Sequence, residues 1–263
     1  MAGIGKVESL WRYPVKSMRG EQLHEAFVSF AGIYGDRLFA FKSVARPRGF
    51  PYLTGRDQAK MLLYRAHFRY PDRAAKPPNL ADAEGMGPGL NPIPGDPADL
   101  AVDVETPSGE VLSIDDQALM RKLGEGLRER ENLTLLRSER AMTDCRPVSL
   151  FSVQTAHRLG EEVGIVLDKR RFRANIFMNL ASTSGFVEEA FVGRTLRIGA
   201  KVVISILERD PRCAMITIDP DTAERNTAIL SEVTKAHDGS AGIYGAVLVE
   251  GMVRVGDDIE VTN

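Results

Sequence analysis

Short runs of β-forming residues, each closed by glycine, proline or other turn residues, recur along most of the chain, and this punctuation limits the fold more than any other feature. Ala26–Ala31 (AFVSFA), the turn Gly32–Gly35 (GIYG) and Leu38–Phe41 (LFAF) predict strand, turn, strand. Val102–Leu112 (VDVETPSGEVL) predicts a hairpin that turns at Pro107-Ser108-Gly109. Further strands are expected over Ala174–Leu180, Leu196–Leu207, Ala214–Ile218 and Ala246–Val255. Helical spacing is confined to three places. Leu119, Leu123 and Leu127 recur every four residues within Asp115–Glu131, behind Asp115 or Asp116. A second helix is expected after Ser152, with Val153, Ala156, Leu159 and Val163 inward, and a third near Ala228–Ala236. The expected class is mixed and β-dominated (α+β).

Tyr70–Pro97 contains Pro71, Pro77, Pro78, Pro88, Pro92, Pro94 and Pro97 with almost no periodicity, and predicts a long loop. Arg46–Gly49 (RPRG) predicts an exposed basic turn. The texture changes near residues 115–127, so a β-rich N-terminal part over 1–118 and a mixed part over 119–263 are expected; 263 residues suffice for two small domains.

Composition excludes several classes. With 34 Lys+Arg against 36 Asp+Glu, the net charge of −2 gives no general field for polyanions, so no nucleic-acid partner is expected. Two cysteines make at most one disulfide and cannot build a four-cysteine zinc site or an iron–sulfur cluster within this chain. His24, His67, His157 and His237 lack ligand spacing. The opening MAGIGKVESLW lacks a signal-peptide pattern, and no apolar run approaches the ~18 residues of a membrane span. A cytoplasmic protein with reduced thiols and no membrane partner is expected.

Three segments carry candidate chemistry, each with an ordinary reading beside it. In Glu208–Asp219 (ERDPRCAMITID), a strand resuming at Ala214 would put Cys213, Met215, Thr217 and Asp219 on one face and Ala214, Ile216 and Ile218 on the core face. Arg212 and Arg209 would then favour the thiolate that ligates metals or attacks substrates; the ordinary alternative is a small residue filling a gap. In Lys169–Ile176 (KRRFRANI), strand alternation would gather Lys169, Arg171, Arg173 and Asn175 into an anion receptor, or else form a solvated basic edge. Tyr13–Met18 (YPVKSM) would hold Lys16 and Ser17 at a strand end, with Arg37 following the Gly35-Asp36 turn; taken singly these are ordinary surface residues. Cys145, in DCRPVS, reads as a connector residue without chemistry.

Taken together, Tyr13-Pro14-Val15-Lys16-Ser17, Gly35-Asp36-Arg37, Arg171-Phe172-Arg173-Ala174-Asn175, Pro211-Arg212-Cys213, Thr217-Ile218-Asp219-Pro220-Asp221-Thr222 and Val255-Gly256-Asp257 resemble the MOSC proteins. This is the molybdenum-cofactor sulfurase C-terminal domain family, here in the layout of bacterial YcbX-like proteins and the mitochondrial amidoxime-reducing component. The resemblance implies an N-terminal MOSC-type β-barrel domain, then a MOSC β-barrel domain with flanking helices, and the molybdenum cofactor (molybdopterin) in the cleft between them. It implies Cys213 as the protein ligand to molybdenum and the catalytic residue. It also implies Lys16, Ser17, Arg37, Arg171, Arg173, Asn175, Arg212, Thr217 and Asp219 as cofactor-binding.

The activity implied is reduction of small N-hydroxylated compounds. With two cysteines the chain supplies no plant-type cluster of its own, so electrons are expected from a separate flavin or iron–sulfur protein. Two alternatives stand beside this: a persulfide sulfur carrier acting through Cys213, and a non-catalytic cofactor carrier.

Overall fold

The computed structural model describes residues 2–85, 92–127 and 132–262. The described chain forms two compact units whose segments alternate. The larger comprises the chain up to Arg12, Gln22–Ile33, and everything from Thr143; the smaller comprises Tyr13–Glu21 and Tyr34–Met142.

The larger unit is a closed seven-stranded barrel. In order around it run Ala2–Arg12, Ile176–Leu180, Val148–Ser152, Ser240–Val249, Val202–Pro211, Thr195–Ile198 and Asp258–Val261, the last returning to Ala2–Arg12. All neighbours are antiparallel except Val148–Ser152 with Ile176–Leu180, and those two are joined through a helix, as a parallel pair requires. Ala2–Arg12 closes the ring because its two halves serve different partners: Ala2–Lys6 faces Asp258–Val261, and Gly5–Leu10 faces Ile176–Leu180. A Cβ at Gly5 would lie 2.3 Å from the Asn179 carbonyl oxygen, so the crossover tolerates only glycine.

Alternation along the strands fills two cores. Leu150, Ile176 and Met178 join Leu10, Ile204, Ile206, Ile243 and Ile259 inside the barrel. Their neighbours Phe151 and Phe177 point outward and pack with Phe172, Ile216, Ala156, Leu159, Ile229 and Val233. These strands are therefore apolar on both faces, and each fully buried large side chain contributes about 1.5–3 kcal/mol over exposure. The outer core is roofed by two helices, which we number with the others in chain order: α1 Leu80–Gly85, α2 Gln117–Gly124, α3 Val153–Val163 and α4 Thr227–Ala236. Ser152 caps α3 by accepting from the Thr155 N–H at 3.0 Å, and Gly164, at φ 73°, ends it.

In the smaller unit, Phe39–Ser43 pairs with Leu133–Arg137, and Arg65–Phe68, Val102–Glu105 and Val111–Ser113 form a meander. The hairpin expected at Pro107-Ser108-Gly109 is present. The strands expected over Ala26–Ala31 and Leu38–Phe41 are both found, but they are not partners. Glu25–Ser29 pairs with Gly32–Ile33 and Gly251–Arg254 in the larger unit.

Several expectations need correction. Leu196–Leu207 is two strands broken at Gly199, and Ala246–Val255 spans the end of one strand and all of Gly251–Arg254. The helix expected over Asp115–Glu131 is capped by Asp116, as anticipated, but stops at Gly124, with Gly126 at φ 83°; Leu127 lies beyond it and Glu131 outside the described residues. The proline-rich stretch contains the short helix α1. Ala214–Thr217 is a 3-10 turn rather than a strand, because Thr217 Oγ1 folds back to the Ala214 carbonyl at 2.8 Å. Lys169–Phe172 is likewise a 3-10 turn: Asp168 caps it by accepting from the Arg170 N–H at 2.8 Å, and Arg173 leaves it in the left-handed region. The strand alternation used for both segments therefore does not apply.

Candidate functional site

In the larger unit the barrel strand Val202–Pro211 runs directly into Arg212 and Cys213. Cys213 starts the 3-10 turn from extended backbone; its side chain makes no capping bond and is partly exposed. The residues around it are clamped in place. Arg212 donates from Nε to the Ala241 carbonyl at 2.7 Å and from Nη1 to the Phe172 carbonyl at 2.9 Å, while Nη2 lies 2.7 Å from Asp210 Oδ2. Its guanidinium carbon also sits 5.2 Å from the Phe172 ring centroid. Arg212 therefore fastens the thiol-bearing turn to two neighbouring segments and has little left for a ligand.

Arg171 clamps the other side of the turn. It donates to the Thr217 carbonyl at 2.9 Å and to Asp219 Oδ2 at 2.7 Å. The second Asp219 oxygen accepts from the backbone N–H groups of Asp221 and Thr222 at 2.9 and 3.0 Å, so the TIDPDT motif is a carboxylate-organised turn. The buried Asn175 bridges two barrel strands: it donates to the Trp11 carbonyl at 3.3 Å and accepts from the Ser149 N–H at 3.3 Å. Lys169 turns to Glu8 and Ser9. Only Arg173 of this run combines partial exposure with a left-handed backbone, at φ 53°.

Two readings of charge around Cys213 change. Arg209 pairs with Glu189 at 3.0 Å and donates to the His237 carbonyl at 2.6 Å, and Arg212 is neutralised by Asp210. Neither arginine is a spare charge for the thiol. Asp210 itself escaped the sequence reading. It is 1% exposed and accepts from Ser149 Oγ at 2.9 Å; burial pushes its carboxyl up to about 6, against the opposing pull of Arg212 and of hydrogen bonds from Ser149 and Tyr244. Its trace in the sequence is faint: Arg212 stands two residues on, just past the strand end at Pro211, and burial of a lone acid has no pattern of its own.

The smaller unit carries a second module. The Tyr13 N–H donates to Asp36 Oδ1 at 2.8 Å, Asp36 Oδ2 pairs with Arg37, and the Arg37 N–H returns to the Tyr13 carbonyl at 2.7 Å. Arg37 also covers the Tyr13 ring at 4.7 Å. The buried Lys16 donates to the Met142 carbonyl at 2.8 Å and lies 5.0 Å from the Tyr52 ring and 5.4 Å from that of Phe50. The YPVKS and GDR motifs are thus brought together, with Asp36, fully buried, as the residue that joins them. Ser17 and Arg37 have φ of 67° and 47°, a region that costs a non-glycine residue about 1–2 kcal/mol.

Cys145 is exposed; what burial it has, and then the carboxylates Asp144, Asp210 and Glu208, push its thiol up. No helix among the described residues is long and apolar enough to cross a membrane.

The chain matches the MOSC domain over residues 137–260 and the MOSC N-terminal beta barrel domain over residues 4–81. Among solved structures it is similar to the YuaD protein of Bacillus subtilis, at 14% identity over 98% of this chain and 94% of that one, with a TM-score of 0.47. It is also similar to YiiM of Geobacillus stearothermophilus, at 16% identity over 45% of this chain and 55% of that one, with a TM-score of 0.34. No curated relative matches at a significant level. The two family matches fall on the residues that build both modules and cover most of the chain between them, and the chain belongs to the MOSC family, whose domain is associated with molybdenum-cofactor-related function.

Proposed function

We propose that this chain is a molybdenum-cofactor oxidoreductase that reduces N-hydroxylated compounds with electrons from a separate protein. Backbone strain is the observation that carries the reading. Of six non-glycine residues with positive φ among the described residues, three are Ser17, Arg37 and Arg173, each within a motif expected to hold the cofactor. Such strain persists where the surroundings enforce it, and it concentrates at ligand clamps.

The donor set fits the group. Cys213 offers one soft thiolate, the donor type that suits a dithiolene-bound metal better than an oxygen-seeking one. Arg171 Nε is buried with no hydrogen-bond partner, a donor left over on the clamp beside the thiol turn. Arg173 would meet the anionic end of the pterin. Arg171, Arg212, Asn175, Thr217 and Asp219 would hold the backbone that presents it. Lys16, Ser17 and Arg37 would bind through the YPVKS–GDR module. When bound, the cofactor supplies the two-electron chemistry that cleaves the N–O bond. Cys213 would ligate and tune the metal, and the buried clamps keep the turn rigid. In balance, R–NHOH takes up two electrons and two protons and gives R–NH2 and water.

The test is turnover of an N-hydroxylated base analogue by protein purified from a molybdopterin-producing host, with reduced methyl viologen as electron source. Amine formation in the wild type, lost in Cys213→Ala, supports the reading. Bound molybdenum without amine formation would leave a cofactor carrier instead. An adduct of about +32 Da on Cys213, the mass of one sulfur, in protein without molybdenum would make it a sulfur carrier.

A further inference from the structure

The basic turn Arg46–Gly49 has no part in either module described above. It lies in a stretch, residues 42–60, that carries five cations (Lys42, Arg46, Arg48, Arg56 and Lys60) against the single carboxylate of Asp57. The whole chain has a net charge of −2, so the remainder is acidic and this segment is a local reversal of sign.

The segment is folded so that its loop tip meets the Arg56-Asp57 turn. Hydrogen bonds from the Ser43 N–H to the Pro51 carbonyl (2.9 Å) and from the Leu53 N–H to the Phe41 carbonyl (2.8 Å) close it into a loop at the end of Phe39–Ser43. Inside the loop, the Arg46 N–H reaches the Ser43 carbonyl and the Phe50 N–H the Pro47 carbonyl, which tightens the turn. Arg46 pairs with Asp57 at 2.8 Å, and the Arg56 guanidinium lies 4.8 Å from the Phe50 ring centroid, so the loop tip and the Arg56-Asp57 turn form one surface. Lys42, Arg48, Arg56 and Lys60 are all exposed. Behind them Phe50 and Tyr52 meet edge to face at 5.2 Å and pack against the Lys16 ammonium. The basic surface thus backs directly onto a residue assigned above to the cofactor.

We infer that this surface docks an acidic electron-donor protein, a small carrier of the iron–sulfur or flavin class. The inference rests on the reductase reading. Each N–O bond cleaved consumes two electrons and two protons, so a one-electron carrier must dock twice per turnover. Fast, repeated encounter is what complementary charge supplies: it raises the association rate and makes it sensitive to salt. A nucleic acid fits less well, because one loop in a net-acidic chain lacks the extended basic stripe that a phosphate backbone needs.

The probe is an acidic plant-type [2Fe–2S] ferredoxin kept reduced by its NADPH-dependent reductase, assayed beside reduced methyl viologen on the same loaded protein. The expected result is that Arg48→Glu with Lys60→Glu raises the ferredoxin KM about tenfold at about 50 mM salt and flattens its salt dependence. The viologen-driven rate and the KM for the N-hydroxylated substrate stay unchanged, and Arg48→Lys with Lys60→Arg keeps the wild-type KM. Equal ferredoxin KM values in wild type and charge-reversed protein, with viologen turnover intact, overturn the docking surface alone. A shift confined to the substrate KM also overturns it and assigns the cations to an anionic substrate. A wild type inactive with viologen overturns the reductase reading and the docking surface together.

Discussion

Both cysteines are followed or preceded by an arginine, yet the two surroundings have opposite characters. Cys145 lies on an exposed connector next to Arg146, whose partner Glu208 is itself 42% exposed. Cys213 follows Arg212, whose side chain is 7% exposed and whose partner Asp210 has its side chain almost wholly buried. Around Cys145, shielding and three carboxylates push the thiol up and away from reactivity. Around Cys213, charged groups are spent on backbone carbonyls and on each other, which fixes a turn and leaves the thiol uncommitted. Residue type is shared between the two places; what differs is whether the neighbouring arginine is a strut or a surface charge.

The largest effect that separates the two is on stability. Arg212→Ala strands Asp210 as a buried charge and is expected to cost about 3–5 kcal/mol, whereas Arg146→Ala removes an exposed ion pair worth about 0–1 kcal/mol. Urea unfolding of both variants checks this, and similar losses would erase the distinction between strut and surface charge.

The next effect is in pH. Asp210 has a folded-state value of about 6, above its ordinary 3.8, so the folded protein binds the extra proton between these limits. The contribution of this group to stability is therefore greatest below about pH 4, falls by about 3 kcal/mol as pH rises to about 6, and is level above that. Asp210→Asn should lack this slope, so that the stability of the wild type relative to the variant falls by about 2 kcal/mol between pH 4.5 and pH 7. An unchanged slope would mean that the carboxyl titrates as an ordinary surface acid.

A smaller effect sharpens the role of strain. Arg173→Gly relieves a left-handed backbone and should stabilise the fold by about 1 kcal/mol while lowering cofactor retention. Lost stability with retained cofactor would make Arg173 a structural residue.

Part of the barrel was legible in its apolar β-forming runs, and two helices have caps that announce their starts, Asp116 for α2 in the smaller unit and Ser152 for α3 on the barrel, whereas Ala2–Arg12, Val148–Ser152 and Asp258–Val261 were not among the expected strands. The segments that carry chemistry were legible in composition but not in conformation. KRRFRANI reads as alternating strand only if Asp168 is ignored as a cap, and CAMIT only if Thr217 is not allowed to close its own turn. Both are places where side-chain hydrogen bonds to the local backbone outcompete a sheet ladder. Arg171 and Asn175 remained in one neighbourhood despite the wrong conformation, but as clamps on Thr217, Asp219, Trp11 and Ser149 rather than as a row of free donors. Asp36 and Asp210, the buried partners of Arg37 and Arg212, were in view in the sequence. Their roles depend on burial, which a sequence pattern carries poorly for an isolated acid.

The most direct test of the account is the molybdenum content of purified wild-type, Cys145→Ala and Cys213→Ala proteins made in the same molybdopterin-producing host, measured by elemental mass spectrometry. The expected result is about one metal per chain in the first two and a near-complete loss in Cys213→Ala, as follows when one soft thiolate is the metal's protein ligand. Equal metal in all three, or loss in Cys145→Ala instead, would contradict it.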